Sequence, residues 1–139
     1  MDLVYASVKG DLAAVRSLLR AGADVHARSP KYQSTALIQA SVSGHTDVVR
    51  ELLKAGARVG DKNINGDTAL DQASGEGHVD VVRVLLAARA NVHVRTKTQQ
   101  TPLHRAAQCG QAAVIRVLVH EGGARLEDKD HEEIGRAHV

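Results

Sequence analysis

Apolar residues along the chain fall in short clusters separated by polar stretches of similar length. Ala36, Leu37 and Ile38 open one cluster, and the pattern predicts a first helix over residues 36–43. Gly44 then interrupts it, as a residue without a Cβ does at the end of a helix. Val48, Val49, Leu52 and Leu53 lie on one face of a second helix predicted over 47–54. Ala55-Gly56-Ala57 ends that helix, and the polar stretch 58–67 follows with Asn63, Asn65 and Gly66. That composition predicts a protruding, hairpin-like loop.

The same unit returns along the chain. Thr35-Ala36-Leu37, Thr68-Ala69-Leu70 and Thr101-Pro102-Leu103 are spaced by 33 positions, as are Gly44, Gly77 and Gly110. Leu52-Leu53, Leu85-Leu86 and Leu118-Val119 keep the same 33-residue interval, and Gly10 with Leu18-Leu19 mark an earlier unit shifted by a single residue. Helices of this length are not stable alone in water. Each unit must therefore bury its apolar face on its neighbours, which is the logic of a solenoid. The expected fold class is all-α, a solenoid of helix–turn–helix repeats joined by short β-hairpin-like loops. The repeats are expected at about 1–28, 29–62, 63–95 and 96–129.

The unit resembles the ankyrin repeat. Thr101-Pro102-Leu103-His104 matches the family's opening motif in full, and Gly44-His45 and Gly77-His78 match its inter-helix turn. Ala21-Gly22-Ala23-Asp24-Val25 matches its end, and the resemblance spans roughly residues 3–132 of a repeat domain expected over 1–132. It implies an ankyrin-type solenoid whose role is to bind another protein. It also implies hydrogen bonding between adjacent turns for His45, His78 and His104. The chain departs from the family pattern at several places. Ala36 and Ala69 replace Pro, so two helix starts lose a preset φ. Ile38 and Asp71 replace His, with the expected loss of a buried hydrogen-bonding group. Arg89 replaces a loop glycine, where a positive φ would carry strain. The hairpin before Thr35 has one extra residue and contains Pro30 and Tyr32, and Gly122-Gly123 adds one residue after the fourth second helix. The first and fourth repeats are expected to be the least regular.

Composition narrows the picture. Hydrophobic residues make up 43% of the 139, yet there is no Phe or Trp, and Tyr5 and Tyr32 are the only aromatics. Ala, Val and Leu must build the core, which suits thin layers at close spacing and not an aromatic-lined ligand pocket. The net charge is +2, from 18 basic and 16 acidic residues, so composition gives no argument for nucleic acid. Cys109 is the single cysteine, which fits a reducing compartment. The start of the chain lacks the pattern of a signal peptide, and no stretch approaches a membrane span. The chain is expected to be intracellular, in the cytoplasm, and monomeric, without membrane insertion.

Residues 133–139 break the repeat where a new Thr-Pro-Leu-His would be due. One set of codons for them, GAG ATC GGA AGA GCA CAC GTC, resembles the start of a common short-read sequencing adapter. The expectation is that the natural reading frame runs past about Glu132; the plainer alternative is a true short tail. The fourth second helix also reads like an internal repeat, with Arg116 its only polar residue over 113–119. These repeats could then be the regulatory or targeting arm of a larger enzyme, channel or ligase adaptor.

Motifs for chemistry are weak. Gly75-Glu76-Gly77-His78 lacks the third glycine and the preceding strand of a phosphate loop. Most of the eight histidines recur a repeat apart, so they read as structural and not as metal ligands; His26 and His93 read as solvated loop residues. Cys109 has His104 five residues earlier but no acid placed to orient it, so it reads as a contact residue and not a nucleophile. Arg16, Arg50, Arg83 and Arg116 recur in every second helix and form either a solvated face, with Asp47, Glu51 and Asp80 as partial counter-charges, or a site for an acidic partner. No catalytic residue, cofactor or metal is expected. Variation between repeats instead marks the concave side. Its candidate partner-binding residues are Lys31, Tyr32 and Ser34; Ile64, Asn65 and Asp67; Lys97, Thr98 and Gln100; and, at the ends of the first helices, Val42 and Ser43, Glu76, and Gln108 and Cys109. Tyr32 and Ile64 are the expected anchors, since large apolar side chains have no structural need to sit in exposed loops.

Overall fold

The computed structural model describes residues 1–124, within which four helix pairs follow one another. They are α1 (Leu3–Lys9) with α2 (Leu12–Arg20), α3 (Ala36–Ser43) with α4 (Thr46–Lys54), α5 (Ala69–Glu76) with α6 (Val79–Ala87), and α7 (Pro102–Gln108) with α8 (Ala112–His120). The odd-numbered helices stack side by side as one layer and the even-numbered helices as a second. The end of the fourth repeat, to residue 129, and the tail 133–139 lie outside the described residues. Among the described residues, no helix is long and apolar enough to cross a membrane.

The recurring Thr starts each inner helix. The hydroxyls of Thr35, Thr68 and Thr101 accept from the backbone N–H groups of Ile38, Asp71 and His104. Asp2 does the same for Tyr5 at the head of α1. Such a cap satisfies a donor that the helix itself cannot. The outer helices α4, α6 and α8 have no side-chain cap, and α4 begins at Thr46, one residue before the expected start.

Small residues set the spacing of the inner layer. Ala6, Ala40, Ala73 and Ala106 are fully buried in one column, so neighbouring helices approach closely. Leu52, Leu85 and Leu118, with Val15, Val49 and Val82, fill the space between the two layers. This is the thin aliphatic core that a chain without Phe or Trp has to build.

Successive repeats are coupled at the turn between helices. Gly44 adopts φ +77°, and a Cβ there would fall 2.7 Å from the ring of His78 in the next repeat. The His78 Nε2–H donates to the carbonyl of Val42 at 2.9 Å, and His45 bonds Val8 in the same way at 3.0 Å. At the third junction Gln111 replaces His: its Nε2 donates to Gly75 O at 3.0 Å, and a Cβ on Gly77 would meet its amide at 2.4 Å. The turn roles implied for His45 and His78 are thus met, and residue type alone did not single out Gln111.

Each outer helix ends in a left-handed residue: Gly22, Gly56, Arg89 and Gly123. Arg89 has φ 69°, the strained conformation expected where it replaces glycine. The hairpins have a second such column, in which Gln33 (φ 57°) and Gln99 (φ 67°) stand where the middle hairpin has Gly66. The inner helices of the first and fourth repeats are one residue shorter than the others: α1 and α7 have 7 residues against 8 in α3 and α5.

A methyl group at Gly44 faces both a disfavoured φ and the His78 ring. Gly56, with φ +96° and nothing within 4 Å of a Cβ, faces only the first. Gly56→Ala is expected to cost about 1–2 kcal/mol, and Gly44→Ala about 1 kcal/mol or more beyond that. Urea denaturation of the two variants measures the difference, and adding His78→Ala should shrink the excess.

Candidate functional site

Three hairpins project from the stack, and one polar side chain organises each of them. Asn63 Oδ1 accepts from the N–H groups of Asn65 and Asp67. Thr96 Oγ1 accepts from those of Thr98 and Gln100, and Ser29 Oγ from that of Ser34. The backbone closes each tip with one rung: Ser29 N–H to Ser34 O, Asn63 N–H to Asp67 O, and Thr96 N–H to Gln100 O, at 2.8–3.0 Å. Only the first reaches a β-bridge, Arg28 with Thr35.

The hairpins are joined to one another. Ile64 N–H donates to Tyr32 O at 2.9 Å, and Lys97 N–H to Asn65 O at 3.3 Å. Beneath these bonds, the Arg28 guanidinium donates to Lys62 O at 2.6 Å and the Lys62 ammonium to Arg95 O at 3.3 Å. The tips therefore form one ridge with a fixed order of side chains.

Most of the candidate residues lie along that ridge and the adjoining helix ends. Tyr32 and Ile64 are 48% and 47% exposed, and the Lys31 ammonium lies 5.2 Å from the centre of the Tyr32 ring. The ring is thus not packed away beneath its own longer hairpin. Lys31, Asn65, Lys97, Thr98, Ser43, Glu76, Gln108 and Cys109 are exposed, while Val42 and Gln100 are half-buried. Ser34 and Asp67 differ from expectation: both are buried. Their carbonyls close the hairpin rungs, so they support the ridge from beneath.

Asp67 has a second task. Its carboxylate pairs with the Arg105 guanidinium at 3.3 Å and accepts from Gln72 Nε2 at 2.9 Å, which ties the second hairpin and α5 to α7. The stem of Arg105 passes over Gly75, where a Cβ would come within 3.0 Å of its Cγ. A cleft of about 210 Å³ opens beside Asp67 and Arg105, lined also by Asn65, Thr98 and Gln100 among others.

Asp71 corrects the expected loss of a hydrogen-bonding group. Its Oδ2 accepts from the N–H of Thr68 at 2.9 Å and the hydroxyl of Thr68 at 3.0 Å, a capping box that matches the one His104 Nδ1 makes with Thr101. Ile38 makes no such box. Asp71 is fully buried, and its Oδ1 has no hydrogen-bond partner. Burial outweighs the Thr68 hydrogen bonds and raises its pKa to about 6.

The remaining motifs are structural. Gly77 and His78 serve the inter-repeat turn described above. His26 is half-buried, with Nδ1 closed to solvent, in place of the solvated position expected of it. Among the described residues, no three His, Cys, Asp or Glu side chains come together as a metal site would need. The arginine column lies exposed on the outer helices, with Arg16 paired to Glu51 at 3.4 Å and Arg83 to Glu121 at 3.2 Å. A shallow groove of about 610 Å³ runs beside it between α2 and α4.

Comparison with known families gives one result. A family model described as Ankyrin repeats (3 copies) matches residues 3–96 and again residues 65–130. No curated protein matches the chain.

The raised pKa of Asp71 fixes the sign of a pH effect. Between about pH 4 and 6 the folded chain holds a proton that the unfolded chain has lost. The proton's contribution is thus complete at low pH and is lost as pH rises through 6. Asp71→Asn carries no such charge. Its stability relative to the parent is expected to climb across this window and then level off, by up to about 3 kcal/mol. Paired denaturation curves from pH 4 to 8 measure it; a constant difference would mean that Asp71 ionises normally.

Proposed function

The chain belongs to the ankyrin repeat family, and from that premise we propose that it is a non-catalytic module that binds a protein partner on its hairpin ridge and the adjoining ends of α3, α5 and α7. Ankyrin repeats are in general protein–protein interaction modules. The observation that carries the placement is the exposure of Tyr32 and Ile64 side by side on a ridge already held by backbone hydrogen bonds. Large apolar side chains at such positions add nothing to the core, and an interface anchor is their best use. A preformed ridge also loses little conformational freedom on binding, which favours affinity.

The contact set proposed is Lys31, Tyr32, Ile64, Asn65, Lys97, Thr98 and Gln100 on the tips, with Val42, Ser43, Glu76, Gln108 and Cys109 at the helix ends. Ser34 and Asp67 act by holding the tips. The module is proposed to work as a monomer; its place inside the cell is a reading supported by its single cysteine.

A triple variant, Tyr32→Ala/Ile64→Ala/Lys97→Ala, tests the placement. All three side chains are exposed, so the melting temperature should stay close to that of the parent. In a pull-down from source-cell lysate, the parent chain is expected to retain a partner that the triple variant loses. Equal recovery by both would move the site off the ridge, with the Arg16–Arg116 column next to be tested.

A further inference from the structure

The charges of the hairpins are not evenly distributed between ridge and interior. Their carboxylates, Asp61 and Asp67, turn to partners within the fold: Asp61 to Arg28 at 3.8 Å and Asp67 to Arg105 at 3.3 Å. The ammonium groups of Lys31 and Lys97 at the tips pair with no carboxylate among the described residues, nor does Lys62 below them. The ridge therefore shows solvent a positive surface although the chain as a whole carries a formal charge of only +2. Tyr32 and Ile64, exposed on neighbouring hairpins joined by the Ile64 N–H to Tyr32 O bond, add apolar area to that surface, with Lys31 against the ring at 5.2 Å.

We propose that the ridge recognises an acidic peptide segment with one large apolar residue, seated on Tyr32 and Ile64 and flanked by carboxylates that face Lys31 and Lys97. The inference rests on the reading that the ridge is the binding surface, and it names the partner's chemistry. Apolar contact supplies the anchor, and the lysines supply attraction and select against basic segments. The adjoining cleft of about 210 Å³ has room for one or two side chains, and Asn65, Thr98 and Gln100 offer amides and hydroxyls to a peptide backbone. Nucleic acid fits less well: a single aromatic ring on the ridge gives no series of stacking platforms for bases.

Selection from a phage-displayed library of random dodecapeptides on the full chain tests this. Enriched peptides should carry Asp or Glu on either side of a Leu, Ile, Phe or similar residue. Lys31→Glu/Lys97→Glu should weaken a selected peptide by about tenfold or more and remove the acidic preference from a repeated selection. Tyr32→Ala/Ile64→Ala should keep the acidic preference and lose the apolar one. Circular dichroism and melting curves check that both variants remain folded.

Neutral or basic peptides that depend on the ridge residues would overturn the acidic assignment while leaving the ridge as the binding surface. Selected peptides indifferent to every ridge variant, or no enrichment at all, would remove the ridge reading and this inference with it. Stronger retention of a single-stranded oligonucleotide or of phosphatidylserine vesicles than of any selected peptide would also overturn it.

Discussion

The ring of His78 lies so close to the turn at Gly44 that a methyl group there would overlap it, and the same ring donates a hydrogen bond to Val42 O. His45 on the Gly10 turn and Gln111 on the Gly77 turn repeat the contact. The rest of the structure depends on this fit. Helices of seven to nine residues have little stability of their own. The fit brings neighbouring repeats close enough to bury the alanine column and the leucines behind it. It needs a left-handed glycine on one side, and on the other a side chain with a nitrogen donor at the right reach. Either one alone leaves a gap or a turn carbonyl without its partner in the next repeat.

A stack coupled in this way holds the hairpins at a fixed spacing, and the spacing brings Ile64 N–H to Tyr32 O and Lys97 N–H to Asn65 O. The polar residues inside the hairpins complete the arrangement. Asn63 and Thr96 fold the tips locally, while Arg28 and Lys62 reach across to the carbonyls of the next hairpin. The pair of buried Asp67 with half-buried Arg105 ties the second hairpin to α7 in the helix layer. Side chains with no part in this framework, above all Tyr32, Ile64, Lys31 and Lys97, are left on the surface. The division of labour between framework and ridge is the physical basis of the functional reading.

Much of the fold was legible in the sequence, because a period of 33 residues constrains helix, turn and loop together. The Thr, Gly and Leu-Leu landmarks placed the inner helix α3 to the residue and the outer helix α4 within one of it. Signals failed where one residue type takes over the task of another. Asp71 was read as a lost hydrogen-bonding group, yet its carboxylate accepts from Thr68 as an imidazole does. Gln111 was passed over, although its amide reaches a turn carbonyl of the preceding repeat as His45 and His78 do. Gln33 and Gln99 hide a left-handed column, because neither is a turn residue by preference. In the candidate site, variation between repeats located the tips but could not separate exposed from buried positions. Ser34 and Asp67 vary as Tyr32 and Ile64 do, and only the direction of each side chain on the closed hairpin distinguishes them.

The central claim is that the ridge exists before any partner arrives, held by bonds between repeats. Amide hydrogen exchange at Ile64 and Lys97 in the free chain measures this most directly, since both N–H groups donate across a repeat boundary from exposed residues. Both are expected to exchange slowly, with protection approaching that of the buried helix amides of Leu52 and Leu85. Exchange at the rate of an unstructured peptide, while those helix amides stay protected, would show hairpins that move independently and would contradict it.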